Sequence, residues 1–342
     1  MLRATALSLA LGTAGAWAAW SIGAPAPFLT GPALVVSVAA VAGLRCALPS
    51  FLRDLCFLLV GLGLGAGVTP EVLAGALDWP VSLMAMALSV LVILFGGAAV
   101  LRRVFGCDPK TALLAATPGH MSFVLGLSLD TGGDVGRIAV IQSLRVLMLT
   151  LLVPAAVALI PHEAQPATVL AHPALAPLHL MLLVAAALAL GRGFQRLRVP
   201  AAFLIAGMVL STLGHATGLT PGRVPPAIST AALVTMGTII GTRFAGITPR
   251  QILADGAAAL ALTAGGFAVA AAASLAVAAL VGLPFKDVLM ALVPGGLETM
   301  IAIAGVLGGD ATFVGFHHLA RIFLLSALVP LALARLPRDP VP

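Results

Sequence analysis

The chain has 342 residues, 61% of them hydrophobic and only 9% charged, with a mean hydropathy of +1.14. A chain this apolar cannot keep its surface out of water by folding on itself, so a soluble enzyme or regulator is excluded and an integral membrane protein remains, without length to spare for a separate soluble domain. The net charge of +6 comes from 18 Lys and Arg scattered singly between apolar runs, which is a topology pattern and excludes a basic nucleic-acid face.

Taken in chain order, Met1-Leu2-Arg3 and the apolar run up to Ala18 imitate a secretory signal. Pro25 and Phe28-Leu29, however, match Pro200 and Phe203-Leu204 at an offset of 175, so the first run is expected to be a retained member of the fold. Apolar runs of membrane length predict spans near 4–22, 28–48, 54–68 and 80–101, a broken segment over 111–129, and a span over 136–160. The second half predicts spans near 177–191, 200–217, 228–243 and 255–282, a broken segment over 287–306 and a span over 312–333. The breaks are Thr117-Pro118-Gly119-His120 and Val293-Pro294-Gly295-Gly296, where proline removes a backbone donor and glycine frees the backbone. Gly61 to Gly67 imitates a dinucleotide loop, but no βαβ pattern surrounds it, and its counterpart Gly237 to Gly246 marks close helix packing.

Residues 110–154 recur without a gap as 286–330. Lys110, Pro118, Gly119, Gly132-Gly133-Asp134, Arg145 and Pro154 match Lys286, Pro294, Gly295, Gly308-Gly309-Asp310, Arg321 and Pro330 at one offset of 176. The expected organisation is a first membrane repeat over 1–160, an extracytoplasmic linker over 161–176 and a second repeat over 177–342. If each broken segment enters and returns as a hairpin, fourteen Lys and Arg fall on the cytoplasmic side and only Arg223 and Lys286 outside, a strong positive-inside bias. Trp17, Trp20 and Trp79 then sit near the outer interface. Five crossings per half make the two repeats inverted. The fold class is therefore all-α and polytopic, two inverted repeats of five transmembrane helices plus one broken or re-entrant segment each, with both termini cytoplasmic in a bacterial inner membrane.

Inverted repeats with breaks in matching positions point to a secondary transporter, because exposed backbone inside a membrane is tolerated where it lines a cavity or binds something. Asp134, Gln142 and Arg145 share one helical face, repeated by Asp310, His318 and Arg321, and His317 stands four residues before Arg321. An arginine inside a span costs roughly 2.5–3.5 kcal/mol on insertion scales. Arg145 and Arg321 either neutralise an anionic solute or clamp broken-segment carbonyls. Glu298 is the lone acid in the apolar part of a broken segment, and its counterpart is Ser122; it suits ion coupling or a buried ion pair. The candidate solute site comprises Thr117, Pro118, Gly119, His120 and Ser122 of the first break and Pro294, Gly295, Gly296, Glu298 and Thr299 of the second. Gln142, Arg145, His317, His318 and Arg321 complete it. Glu298, Asp134 and Asp310 are the candidate ion-coupling residues. Cys46, Cys56 and Cys107 share no metal-like spacing, and no HExxH or GxSxG motif is present, so neither a catalytic residue nor a metal ligand set is assigned.

Ala116-Thr117-Pro118-Gly119-His120-Met121 and Leu292 to Met300, each followed by Gly-Gly-Asp and an Arg-bearing span, resemble the AbrB-duplication membrane family. The resemblance covers nearly the whole chain, and the first half departs from it at His120, where the family has a small residue. Members carry the labels "ammonia monooxygenase" and "AbrB family regulator", so a membrane sensor or, less favoured, a monooxygenase-like enzyme stands as the alternative. At fold level the architecture looks like that of inverted-repeat, elevator-type carriers. The expectation is a carrier of a small polar or anionic solute working by alternating access, with H⁺ or Na⁺ as coupling ion and no cofactor. Its partners are the lipid bilayer and a small-molecule solute, nucleic acid is excluded, and a homodimer is the assembly considered.

Overall fold

The computed structural model describes residues 1–65, 79–119, 121–160, 174–217, 219–220 and 222–336. The described chain is all-α. The first half holds α1 (Leu2–Ser21), α2 (Pro27–Val41), α3 (Ser50–Gly65), α4 (Trp79–Arg103), α5 (Pro109–Ala116), α6 (Met121–Thr131) and α7 (Val135–Ala158). The second holds α8 (Pro177–Arg196), α9 (Ala202–Ala216), α10 (Pro226–Thr242), α11 (Pro249–Val281), α12 (Phe285–Leu292), α13 (Leu297–Val306) and α14 (Ala311–Ala334). Residues 161–173 of the expected linker lie outside the described residues.

Most of the helices repeat residue for residue. At an offset of 175, α1 and α2 have the bounds of α8 and α9; at 176, α5 and α7 have those of α12 and α14. The ends repeat as well, because the same residue types force the same backbone. Ala26 and Ala201 open α2 and α9 in the left-handed region at φ 48° and 51°. Gly132 and Gly308 close α6 and α13 at φ 78° and 65°, a conformation that glycine adopts without a Cβ clash.

Among the described residues five helices, α4, α7, α8, α11 and α14, are long and apolar enough to cross a membrane. The sequence reading of spans over 28–48 and 200–217 is corrected: α2 and α9 have 15 residues each, which rise only about 22 Å, while α3 and α10, with 16 and 17 residues, are no shorter than the spans expected over 54–68 and 228–243. For α2 the cause is Gly43, whose φ of 92° turns the chain soon after Val41. Exposed Val81, Met84, Leu88, Val92 and Phe95 make an apolar stripe on α4 at helical spacing, as a lipid-facing helix requires.

Two compact units divide the helices, and each draws on both halves of the sequence. One gathers α1–α3, α8–α10, the C-terminal end of α7 and α13 from Glu298 on; the other gathers α4–α6, the rest of α7, α11, α12 and α14 from Phe313 on. In the first unit, glycine sets how closely helices approach. A Cβ on Gly61 or Gly65 of α3 would strike the carbonyl oxygen of Leu204 or Met208 in α9, and one on Gly237 of α10 would strike that of Leu29 in α2. Lipid offers no hydrophobic drive for helices to associate, so this backbone contact supplies the dispersion energy. The glycine string of α3 is a packing surface.

Gly61→Ala should therefore force α3 and α9 apart and cost about 1–3 kcal/mol. Gly63→Ala, where a Cβ meets nothing within 4 Å, should be neutral or stabilising by up to about 1 kcal/mol. Thermal unfolding of the two variants in detergent would separate them.

Candidate functional site

The first broken segment is built from α5, a break at 117–120, and α6. Asp108 starts α5 as its N-cap, accepting hydrogen bonds from the backbone N–H groups of Lys110 (3.0 Å) and Thr111 (2.9 Å). Partial burial works against the charge on Asp108, but the side-chain and backbone hydrogen bonds of Thr111 and that of Lys110 outweigh it and hold the carboxyl below its ordinary value. Thr111 Oγ1 in turn accepts from Asp134 N at 2.8 Å, so the segment's two ends meet. Its middle is where the chemistry gathers. A helix leaves its last four carbonyls unpaired, and here those carbonyls lie in the protein interior.

Two side chains of α7 answer them. Arg145 Nη2 donates to Thr117 O at 2.8 Å, and Nη1 donates to Ala115 O and Ala116 O at 3.3 and 3.4 Å. Gln142 Nε2 donates to Leu114 O (3.1 Å) and Thr117 O (3.0 Å), while its Oε1 accepts from Arg145 Nη2 at 2.6 Å. The second break repeats the device. Arg321 donates to Val293 O (2.8 Å) and Gly295 O (2.6 Å), and His318 Nε2 bonds Met290 O at 2.9 Å. Arg321 Nη2 also lies 2.6 Å from His318 Nδ1. A guanidinium only donates, so Nδ1 accepts and the proton of this neutral ring sits on Nε2. Gln142 and His318 therefore do one job with different groups: each reaches the carbonyl 28 residues back and receives the arginine three residues on.

All four of these side chains are buried. Among the described residues neither arginine has a carboxylate partner, and each keeps one buried Nε–H without an acceptor. The guanidinium groups are near enough to feel each other's charge. Gly119, at φ 120° in the first break, links the two: a Cβ there would stand 3.9 Å from Arg321 Nε, the arginine that clamps the second. Glycines of the long helices admit both breaks. A Cβ at Gly97 of α4 would stand 3.2 Å from Ala116, and one at Gly266 of α11 would stand 3.0 Å from Pro294.

Of the remaining expected site residues, Thr117, Pro118, Pro294 and Gly295 are buried at the breaks, and Gly119 and Gly296 are half-buried. Glu298, half-buried, and Thr299, buried, open α13 and belong to the other compact unit, where Arg243 feels the charge of Glu298. His120 lies outside the described residues, and Ser122 is described by its backbone alone. Asp134 and Asp310 hold helix starts: they accept from Arg137 N and Thr312 N, both at 2.9 Å. His317 is not the partner of Arg321 that its spacing suggested. Its Nε2 lies 2.8 Å from Ser82 Oγ of α4, and its Nδ1 lies 2.8 Å from Phe313 O.

Sequence reasoning missed this joint between α4 and α14. Trp79 was expected at the membrane interface, but it is 8% exposed and packs edge-on against Phe313 with ring centres 5.6 Å apart. At the same offset of 176, Trp79 corresponds to Asp255 and Phe313 to Arg137, and those two form an ion pair at 2.6 Å between α11 and α7. One joint is aromatic and its counterpart ionic. Similarity of residue type could not have matched them; applying the repeat offset to position alone could.

Fold and site together define an all-α polytopic membrane protein whose two matching halves each carry a broken helix clamped by a buried arginine. The family model described as "Transition state regulatory protein AbrB" matches residues 28–336, and the chain belongs to that family, as its Pro-Gly segments suggested. A curated relative, "Uncharacterized protein YhjN" of Bacillus subtilis (strain 168), is 27% identical over 297 residues, covering 80% of this chain and 75% of its own. No solved structure matches.

Because Gln142 and His318 are equivalent, His318→Gln should keep the clamp and stay within about 1 kcal/mol of the parent, whereas His318→Leu orphans Met290 O and one arginine donor and should cost about 1–3 kcal/mol. Thermal unfolding in lipid nanodiscs would measure both. For the exposed cap, Asp108→Ala should cost about 0.5–2 kcal/mol at neutral pH. With its pKa lowered on folding, that contribution is complete above the ordinary carboxylate value and fades as the pH falls through the lower folded value, so parent and variant should converge in acid melts.

Proposed function

We propose that the protein is a secondary transporter that moves a small polar or anionic solute by alternating access. The observation that carries this reading is the pair of buried guanidinium groups, each fixed on a broken helix, each with one Nε–H still free, and neither faced by a carboxylate among the described residues. A site with that much fixed positive charge favours an anion, and the N-terminal ends of α6 and α13 add the positive ends of helix dipoles at the same breaks. The solute is bound around Gly119, Pro294–Gly296 and the Nε–H groups of Arg145 and Arg321. Gln142 and His318 hold the arginines in place. Glu298, which has no hydrogen-bond partner among the described residues, is the group tied to H⁺ or Na⁺.

The bond from Asp134 N to Thr111 supports a re-entrant path for the first segment, since entry and exit lie side by side. The matching helix bounds and the positive-inside count support a second repeat that is inverted, with both termini on the cytoplasmic side of a bacterial inner membrane. The family's description as a regulatory protein favours one rival, a membrane sensor that binds the same solute and does not carry it.

A thermal-shift screen of small carboxylates, amines and ions on the purified protein should find a stabilising anion, which then serves in counterflow with proteoliposomes. Arg321→Lys, which keeps the charge and removes the Nε–H, should lower counterflow roughly tenfold or more. Counterflow that is unchanged in Arg145→Ala, Arg321→Ala and Glu298→Gln would sink the site, and binding with no flux in the parent protein would establish the sensor.

A further inference from the structure

Ser82 and His317 make a buried polar pair at the joint of α4 and α14, and both side chains are fully enclosed. Their counterparts in the other repeat are Ala258 and Ile141, also fully buried. The equivalent joint thus packs with two apolar residues. Packing alone does not call for a hydroxyl and an imidazole here.

Counting protons shows what the pair can do. Phe313 O only accepts, so the His317 Nδ1 that lies 2.8 Å from it carries a hydrogen. Ser82 Oγ lies 2.9 Å from Trp79 O and 2.8 Å from His317 Nε2. With a neutral ring, Nε2 has a lone pair, and the single hydroxyl proton must choose between two acceptors. With a doubly protonated ring all three contacts become hydrogen bonds in one direction: Nδ1–H to Phe313 O, Nε2–H to Ser82 Oγ, and Ser82 O–H to Trp79 O. The geometry holds one more proton than the neutral pair supplies.

A buried imidazolium costs desolvation energy, and the surroundings offset part of it. Two of its hydrogen bonds are charge-assisted, and the rings of Phe313, Trp79 and Phe316 have centres 4.1, 6.1 and 6.3 Å from its own. The charged and titratable neighbours are few. On α14 they are His318 and Arg321. On α11 they are Arg250 and Asp255, the latter held by Arg137, and on α12 Lys286 and Asp287; none of these bonds to His317. Arg102 and Arg103 stand about 30 Å away along α4.

We propose that the Ser82–His317 pair is a proton-binding site that acts on the second broken segment. This rests on the transporter reading and names H⁺ as its coupling ion, bound at a place separate from Glu298. The next residue, His318, holds Met290 O, and Arg321 one turn on holds Val293 O and Gly295 O, so a charge gained at His317 is felt by the groups that fix the break. The added positive charge stands beside the arginines, so proton binding and anion binding reinforce each other.

Histidine-selective ¹⁵N labelling in lipid nanodiscs, with His317→Gln to assign the signal, reads the ring directly. The neutral ring with its proton on Nδ1 should give way to the doubly protonated ring as the pH is taken from about 8 down to about 4. Ser82→Ala should lower the midpoint by roughly 0.5–1 pH unit, and Ser82→Thr, which keeps the hydroxyl, should leave it in place. Hydrogen exchange of residues 290–297, corrected for intrinsic rate, should change with the same midpoint. A ring that stays neutral, a midpoint indifferent to Ser82→Ala, or an exchange profile that ignores the titration would overturn the proposal. Neither readout needs a solute. Absent counterflow beside a titrating His317 therefore counts against the transporter reading alone, and working counterflow beside a neutral His317 against the proton site alone.

Discussion

A helix that stops inside a membrane protein leaves carbonyls that no water can reach, and each must find a donor. The structure depends on how this chain meets that demand. At both breaks the donors come from the helix that follows, α7 or α14, through an arginine and a second polar residue three positions before it. Each unpaired buried carbonyl would cost about 1–3 kcal/mol, so two breaks left bare would exceed the net stability of many domains. The clamp is what permits the breaks to exist.

The solution brings its own problem. A guanidinium taken out of water loses several kcal/mol of hydration, and no carboxylate among the described residues compensates either one. Carbonyl bonds to a charged donor return about 1.5–3 kcal/mol each, and the negative ends of α5 and α12 add a fraction of a charge. The desolvation is thus met mainly by the groups the arginine satisfies. What is left over is positive charge close to two backbone breaks, and that surplus gives a structural device a functional consequence.

Much of this was legible in the sequence, and the limits have physical causes. The repeat, the breaks and the arginine-bearing face follow from proline, glycine and a spacing of 3.6, all of which act locally. The clamp reading of Arg145 and Arg321 was also available, because a carbonyl end needs a donor. The equivalence of Gln142 and His318 was not, since amide and imidazole look unlike until both are seen to span from a carbonyl to a guanidinium. The burial of Trp79 was not legible, because a tryptophan near a helix start reads as an interface anchor and the rings that cover it, Phe313 and Phe316, stand more than two hundred residues away. Helix ends such as Val41 depend on one glycine dihedral, which hydropathy averages away.

Duplication makes those differences interpretable, since each half is a control for the other. Three kinds of divergence can be told apart. At 142 and 318 the chemistry differs and the job does not, so these positions need not encode what is carried. At 79–313 and 137–255 one joint is kept closed by aromatic contact and its counterpart by an ion pair, so the second is the one that salt weakens. At 82 and 317 a polar pair stands where the other half manages with alanine and isoleucine. Only in this last case does one copy hold a buried group that its twin shows to be dispensable for packing. The proton proposed for this pair is a reason, other than packing, to keep such a group.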